Sequence, residues 1–187
     1  MEKRSLRACL GKEWLYCDGG TGSLLQEKGL KGGELPERWN LERPEDVIEI
    51  AESYFRAGAD IVNTNTFGAN RLHYADRAEL EQIVRAGVRH VREGLALSGR
   101  TDGFVALDLG PTGRLLKPMG DLEFETCVEI FAEVVRWGKE EGADLVLIET
   151  MSDAMEAKAA VLAAKENSDL PVFVTTVFDE KGKMLTG

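Results

Sequence analysis

Short apolar runs alternate with stretches of helical period along this chain. Leu15-Tyr16-Cys17, Asp60-Ile61-Val62-Asn63-Thr64, Phe104-Val105-Ala106-Leu107, Leu145-Val146-Leu147-Ile148 and Val172-Phe173-Val174-Thr175-Thr176-Val177 read as five strands. They are apolar on both faces, which suits a parallel sheet covered by helices. Between them, Val47, Ile48, Ala51, Tyr54 and Phe55 keep helical spacing, with Pro44 at the start and Gly58 at the stop. Leu80, Ile83, Val84, Val88, Val91 and Leu95 form a second stripe. Phe124, Cys127, Val128, Phe131 and Val135 form a third, closed by Gly142, which makes Cys127 a core residue. A fourth, alanine-rich helix starts at Ser152-Asp153, with Glu156 spaced for a capping box.

A weak repeat supports the βα unit. Gly58-Ala59-Asp60-Ile61-Val62 resembles Gly142-Ala143-Asp144-Leu145-Val146, and in that register Asn65 matches Glu149. Strand–helix alternation permits a doubly wound sheet or a TIM barrel. Asp18-Gly19-Gly20-Thr21-Gly22-Ser23 fails the dinucleotide-binding template G-x-G-x-x-G. Asp18, Thr64-Asn65, Asp108 and Glu149 all fall at strand ends. In a barrel those ends converge on one mouth, where active sites are built. One such acid alone would be a helix cap; four polar strand ends together point to a site. The expected architecture is a (β/α)8 TIM barrel of which the chain holds about five βα units, with residues 1–13 as a lead-in and 14–187 as barrel. A half-barrel exposes a sheet edge and an apolar inner face. Its cover is expected to be a partner chain, a swapped copy or further sequence.

Composition narrows the chemistry. The formal net charge is −10 over 187 residues, with a pI near 4.8. That field disfavours nucleic acid and anionic membranes. No apolar run reaches the ~20 residues of a membrane span, and the basic N-terminus lacks the apolar stretch of a secretory signal. Cys9, Cys17 and Cys127 fit neither a disulfide framework nor a CxxC pair, which suits a reduced, cytoplasmic setting. His73 and His90 fall in helix-like segments without partners at ligand spacing. Cys17, next to an inward-facing Asp18, is expected to face away from the mouth. Lys117 could suggest Schiff-base chemistry but reads as a solvated loop residue.

The ordered motifs carry a resemblance. Asp18-Gly19-Gly20-Thr21-Gly22-Ser23, Asn63-Thr64-Asn65-Thr66-Phe67-Gly68-Ala69, Asp108-Leu109-Gly110-Pro111-Thr112-Gly113 and Glu149-Thr150-Met151-Ser152-Asp153 are similar to the homocysteine-binding domain of cobalamin-dependent methionine synthase and the homocysteine S-methyltransferases. Phe178-Asp179-Glu180-Lys181-Gly182 and Leu185-Thr186-Gly187 continue it. The resemblance implies methyl transfer to the zinc-activated thiol of L-homocysteine, giving methionine. It implies that Asp18 and Gly19 border the amino-acid part of the substrate, that Thr64 contacts it, and that Glu149 holds its ammonium. Asn65 and Asp108 are expected in supporting roles, Asp108 equally as the group that orients the Gly110–Gly113 turn. The family's three zinc cysteines lie after the sixth strand and in a late Gly-Gly-Cys-Cys motif. None of Cys9, Cys17 and Cys127 matches them, so no metal ligand and no catalytic residue is assigned here, and the chain alone is expected to be inactive. Methylcobalamin is the expected methyl donor, bound outside the chain, with a missing barrel half or cobalamin and folate domains as partners. The alternative is a non-catalytic half-barrel that dimerises as a binding or scaffold module.

Overall fold

The computed structural model describes residues 4–186. In chain order come α1 (Leu6–Cys9), α2 (Thr21–Glu27), a 3-10 turn (Pro36–Arg38), α3 (Trp39–Glu42), α4 (Pro44–Ala57), β1 (Ile61–Asn63), α5 (Arg77–Leu97), β2 (Phe104–Leu109), α6 (Phe124–Glu140), β3 (Leu145–Met151), α7 (Ala154–Asn167) and β4 (Val172–Thr176). The strands form one parallel sheet in the order β1-β2-β3-β4. No helix among the described residues is long and apolar enough to cross a membrane.

The run at Leu15–Cys17 forms a single parallel bridge, Cys17 to Ile61, rather than a full ladder. The Asp60 carboxylate takes the Tyr16 N–H at 3.0 Å, and α2 begins at Thr21, four residues after the bridge. The β2 and β3 strands run further than the sequence suggests, so Asp108 and Glu149 lie inside strands rather than beyond them. His73 sits in a turn, not in a helix.

Alternation sorts the strand residues between two layers. Val62, Val105, Leu107, Val146 and Ile148 pack under α4–α7 in the main core. Ile61, Phe104, Ala106, Leu145 and Leu147 face the other way, where Leu6 and Cys9 of α1 cover them. The lead-in is thus a plug. Arg4 bonds Asp60 at 2.8 Å and stacks over the Phe104 ring, and Arg7 reaches the Asp169 carbonyl at 2.7 Å. The α4 helix buries Ile50 where the sequence pattern suggested Ile48. Val47 and Ile50 meet Leu25, Leu30 and Trp39, while Ala51 and Phe55 join the main core.

The internal repeat has a structural cause. Gly58 and Gly142 both take left-handed φ, at 103° and 96°, and end their helices. Two residues on, Asp60 and Asp144 each accept a backbone N–H from a neighbouring strand, Tyr16 at 3.0 Å and Val105 at 2.9 Å.

Close packing of α4 on α5 depends on Gly94. A Cβ there would lie 2.8 Å from both the Ala51 Cβ and the Glu52 backbone nitrogen. Gly94→Ala gains helix propensity of ~1 kcal/mol but overpacks a backbone contact at a cost of ~1–3 kcal/mol. The expected net loss is ~1 kcal/mol, read from the urea midpoint; a stabilised variant would contradict this packing.

Candidate functional site

Parallel strands send their C-terminal ends to one side of the sheet. Asn63 follows Ile61 by two residues, Asp108 follows Ala106 by two, and Glu149 follows Leu147 by two. The period of two keeps these polar residues on the inner face, one step past the apolar layer. They border a cleft of about 790 Å³, whose lining also includes Cys17, Asp18, Gly19, Glu37, Thr64, Asn65, Phe67 and Phe173.

Cys17 therefore does not face away from the mouth, as the sequence suggested. It shares its face with Leu15, which packs on the inner layer. Asp18 also lines the cleft, and its Oδ2 accepts the Asn63 N–H at 2.8 Å. Burial first, and the charge of Glu149 second, push its carboxyl up to about 6. Asp108 is 5% exposed, and its Oδ1 has no partner among the described residues. Burial raises it well above the usual carboxylate range, with Glu149, Asp18 and Glu37 adding to the effect. Burial also raises Glu149.

The supporting bonds are mostly to backbone. The Thr64 Oγ1 accepts the Asp108 N–H at 3.1 Å and lies 2.6 Å from the Thr66 hydroxyl, which donates to the Asp108 carbonyl at 2.8 Å. Asn65 donates to the Pro36 carbonyl at 2.9 Å and to the Asn40 Oδ1 at 3.1 Å, so its amide fastens the loops. The Asp108 carboxyl does not orient the Gly110–Gly113 turn. Buried Glu156 does so: its Oε1 takes the Thr112 N–H at 2.7 Å and the Thr112 hydroxyl at 2.5 Å. No capping box forms at α7, because Glu156 is engaged there and Asp153 alone caps the helix through Met155 and Glu156 N–H groups. Beside Glu149, Thr150 holds φ of 60° at an irregularity between β3 and β4. A bulge of this kind re-aims a strand side chain.

Two wall residues were given no role by the sequence reading. Glu37, from the 3-10 turn, accepts the Gly68 N–H at 2.6 Å and the Tyr74 hydroxyl at 2.9 Å. Phe67 lies so close to Gly110 that a Cβ there would meet its ring at 2.6 Å. Glu37 lies outside the quoted motifs, and Phe67 lies within Asn63–Ala69. Lys117 is exposed and pairs with Glu123, away from the cleft.

Among the described residues the cleft is lined by four acidic side chains (Asp18, Glu37, Asp108 and Glu149) and by no lysine, arginine or histidine. Such a site favours a cation that offers several N–H donors. Among the described residues no three His, Cys, Asp or Glu are placed to hold a metal ion. Cys9 and Cys127 are buried elsewhere, and burial pushes the Cys127 thiol up to about 12.

Asp18 gives a pH signature. An acid raised in the folded state costs nothing below its unfolded value near 4 and costs most once ionised. Its contribution to stability therefore falls as pH rises from about 4 to about 6. Asp18→Asn is expected to gain stability relative to the native chain between pH 4 and 7 in urea unfolding. A relative loss over that range would contradict the assignment.

The chain belongs to the homocysteine S-methyltransferase family, whose model matches residues 15–187. It is similar to the methionine synthase of Mycobacterium tuberculosis, 33% identical over 197 residues that cover 95% of this chain. The Mycobacterium leprae methionine synthase is 32% identical over the same share. The chain spans 16% of the length of either relative. In fold it is similar to the homocysteine methyltransferase MmuM from Escherichia coli in its oxidized form. The TM-score is 0.83 at 22% identity, over 96% of this chain and 68% of that one. A metallated form of that protein superposes with a TM-score of 0.80.

Proposed function

We propose that this chain is the substrate-binding part of a homocysteine S-methyltransferase of the methionine synthase type. Residues 14–187 would form the first five βα units of a (β/α)8 barrel, and residues 4–13 would plug its base. The observation that carries the reading is the acid-only cleft, with Asp18, Asp108 and Glu149 converging on it. L-homocysteine brings an ammonium that such carboxylates hold. Gly19 and Gly20 line the cleft beside Asp18, where the rest of the amino-acid part would lie. Thr64 keeps Asp108 in place through its N–H, and Asn65 holds the adjoining loop.

The work of these residues is binding and orientation. Fixing the amino-acid end aims the thiol at an incoming methyl group, and such positioning supplies several kcal/mol of a barrier. In the family reading the thiol is activated by zinc on three cysteine thiolates, with methylcobalamin as methyl donor. The cysteines described here do not compose that set, so the chain's own share is recognition of the substrate.

Binding raises the unfolding temperature of the folded state. Excess L-homocysteine is expected to raise the Tm of this chain, and an unchanged Tm at saturating ligand would contradict the reading.

A further inference from the structure

Cys17 is the exposed thiol of the three cysteines; Cys9 and Cys127 are buried. It shares the cleft with Asp18, Asp108 and Glu149. Independently of the cysteine, the Asp108 carboxyl is 5% exposed with an unpartnered Oδ1, as expected of a group that awaits a ligand. We propose that Cys17 is a charge-selective modification site that reacts with small aliphatic disulfides carrying an ammonium group. The proposal rests on reading the cleft as an ammonium site and does not require methyl transfer.

Burial, then the charges of Asp18, Glu149 and Asp60, push the Cys17 thiol up. It is therefore a poor nucleophile toward neutral or anionic reagents. An ammonium seated on the acids brings positive charge to the sulfur, favours its thiolate, and raises the local concentration of the disulfide. The step is an exchange. The Cys17 thiol gives its proton to water, and its sulfur attacks one sulfur of the disulfide. A new S–S bond forms, the old one breaks, and the departing aminothiolate takes up a proton. The disulfide is itself the oxidant, and the adduct fills the cleft until a thiol reverses it.

The test is intact-mass kinetics on this chain near neutral pH. Cystamine is the cationic probe and 3,3′-dithiodipropionate the anionic one. The expected result is a single adduct, mapped to Cys17 and absent in Cys17→Ser. Cystamine should react at least about tenfold faster, and the ratio should shrink in Glu149→Gln, in Asp18→Asn and at high salt. Equal rates, an adduct at Cys9 or Cys127, or a ratio unchanged in both acid variants would overturn the proposal. Binding of L-homocysteine without an adduct at Cys17 overturns this inference alone. Absence of both overturns the ammonium reading as well.

Discussion

Replacing Glu149 with glutamine is expected to weaken L-homocysteine binding by about 30-fold. Removing one member of a desolvated charge pair costs ~2–5 kcal/mol, and Glu149 stands half-buried at the cleft, so the lower end, ~2 kcal/mol, applies. Calorimetric titration of both forms reads it directly. The fold should survive, since the change keeps the shape of the side chain, and the urea midpoint checks that. Equal affinities would remove Glu149 from the site.

The second large effect carries opposite signs. Asp108→Asn is expected to stabilise the free protein by about 1 kcal/mol at pH 7, on the scale of leaving a buried polar group unpartnered. It should weaken L-homocysteine binding by roughly tenfold, the loss of one charge-assisted bond. In the free cleft the carboxyl either ionises without a partner or keeps its proton above the usual range, and asparagine avoids both. The folded-state value is raised, so the native carboxyl costs nothing below about pH 4 and the advantage of the variant should vanish there. A residue with a purely structural role would lose stability on replacement, and that outcome would contradict the assignment. Gains in stability set against losses in function are expected where a site holds a strained or unpaired group.

Much of this was legible in the sequence because periodicity reports packing. The stripes on α5 and α6 are buried as their spacing implies, from Leu80 to Leu95 and from Cys127 to Val135. The polar strand ends Asp18, Thr64, Asp108 and Glu149 meet at one cleft because parallel strands share a direction. What failed was decided by tertiary contacts. Cys17 was expected to face away from the mouth, but its bridge to Ile61 puts it on the inner face with Leu15. Glu156 had the spacing of a capping box, but Thr112, 44 residues away, offered it two donors. Glu37 and Phe67 carry no periodic signal; one is fixed by the Gly68 N–H and the Tyr74 hydroxyl, the other by the bare Gly110. The plug made by α1 is too short to show a helical stripe, and its role comes from Leu6 and Cys9 meeting strands far along the chain.

The central claim is that the acid cleft recognises the ammonium of an amino thiol. It is tested most directly by calorimetric titration of this chain with L-homocysteine and with 4-mercaptobutyrate, which keeps the thiol and carboxylate but lacks the amino group. Measurable binding of L-homocysteine and none of 4-mercaptobutyrate is the predicted result. Equal or tighter binding of 4-mercaptobutyrate would contradict it.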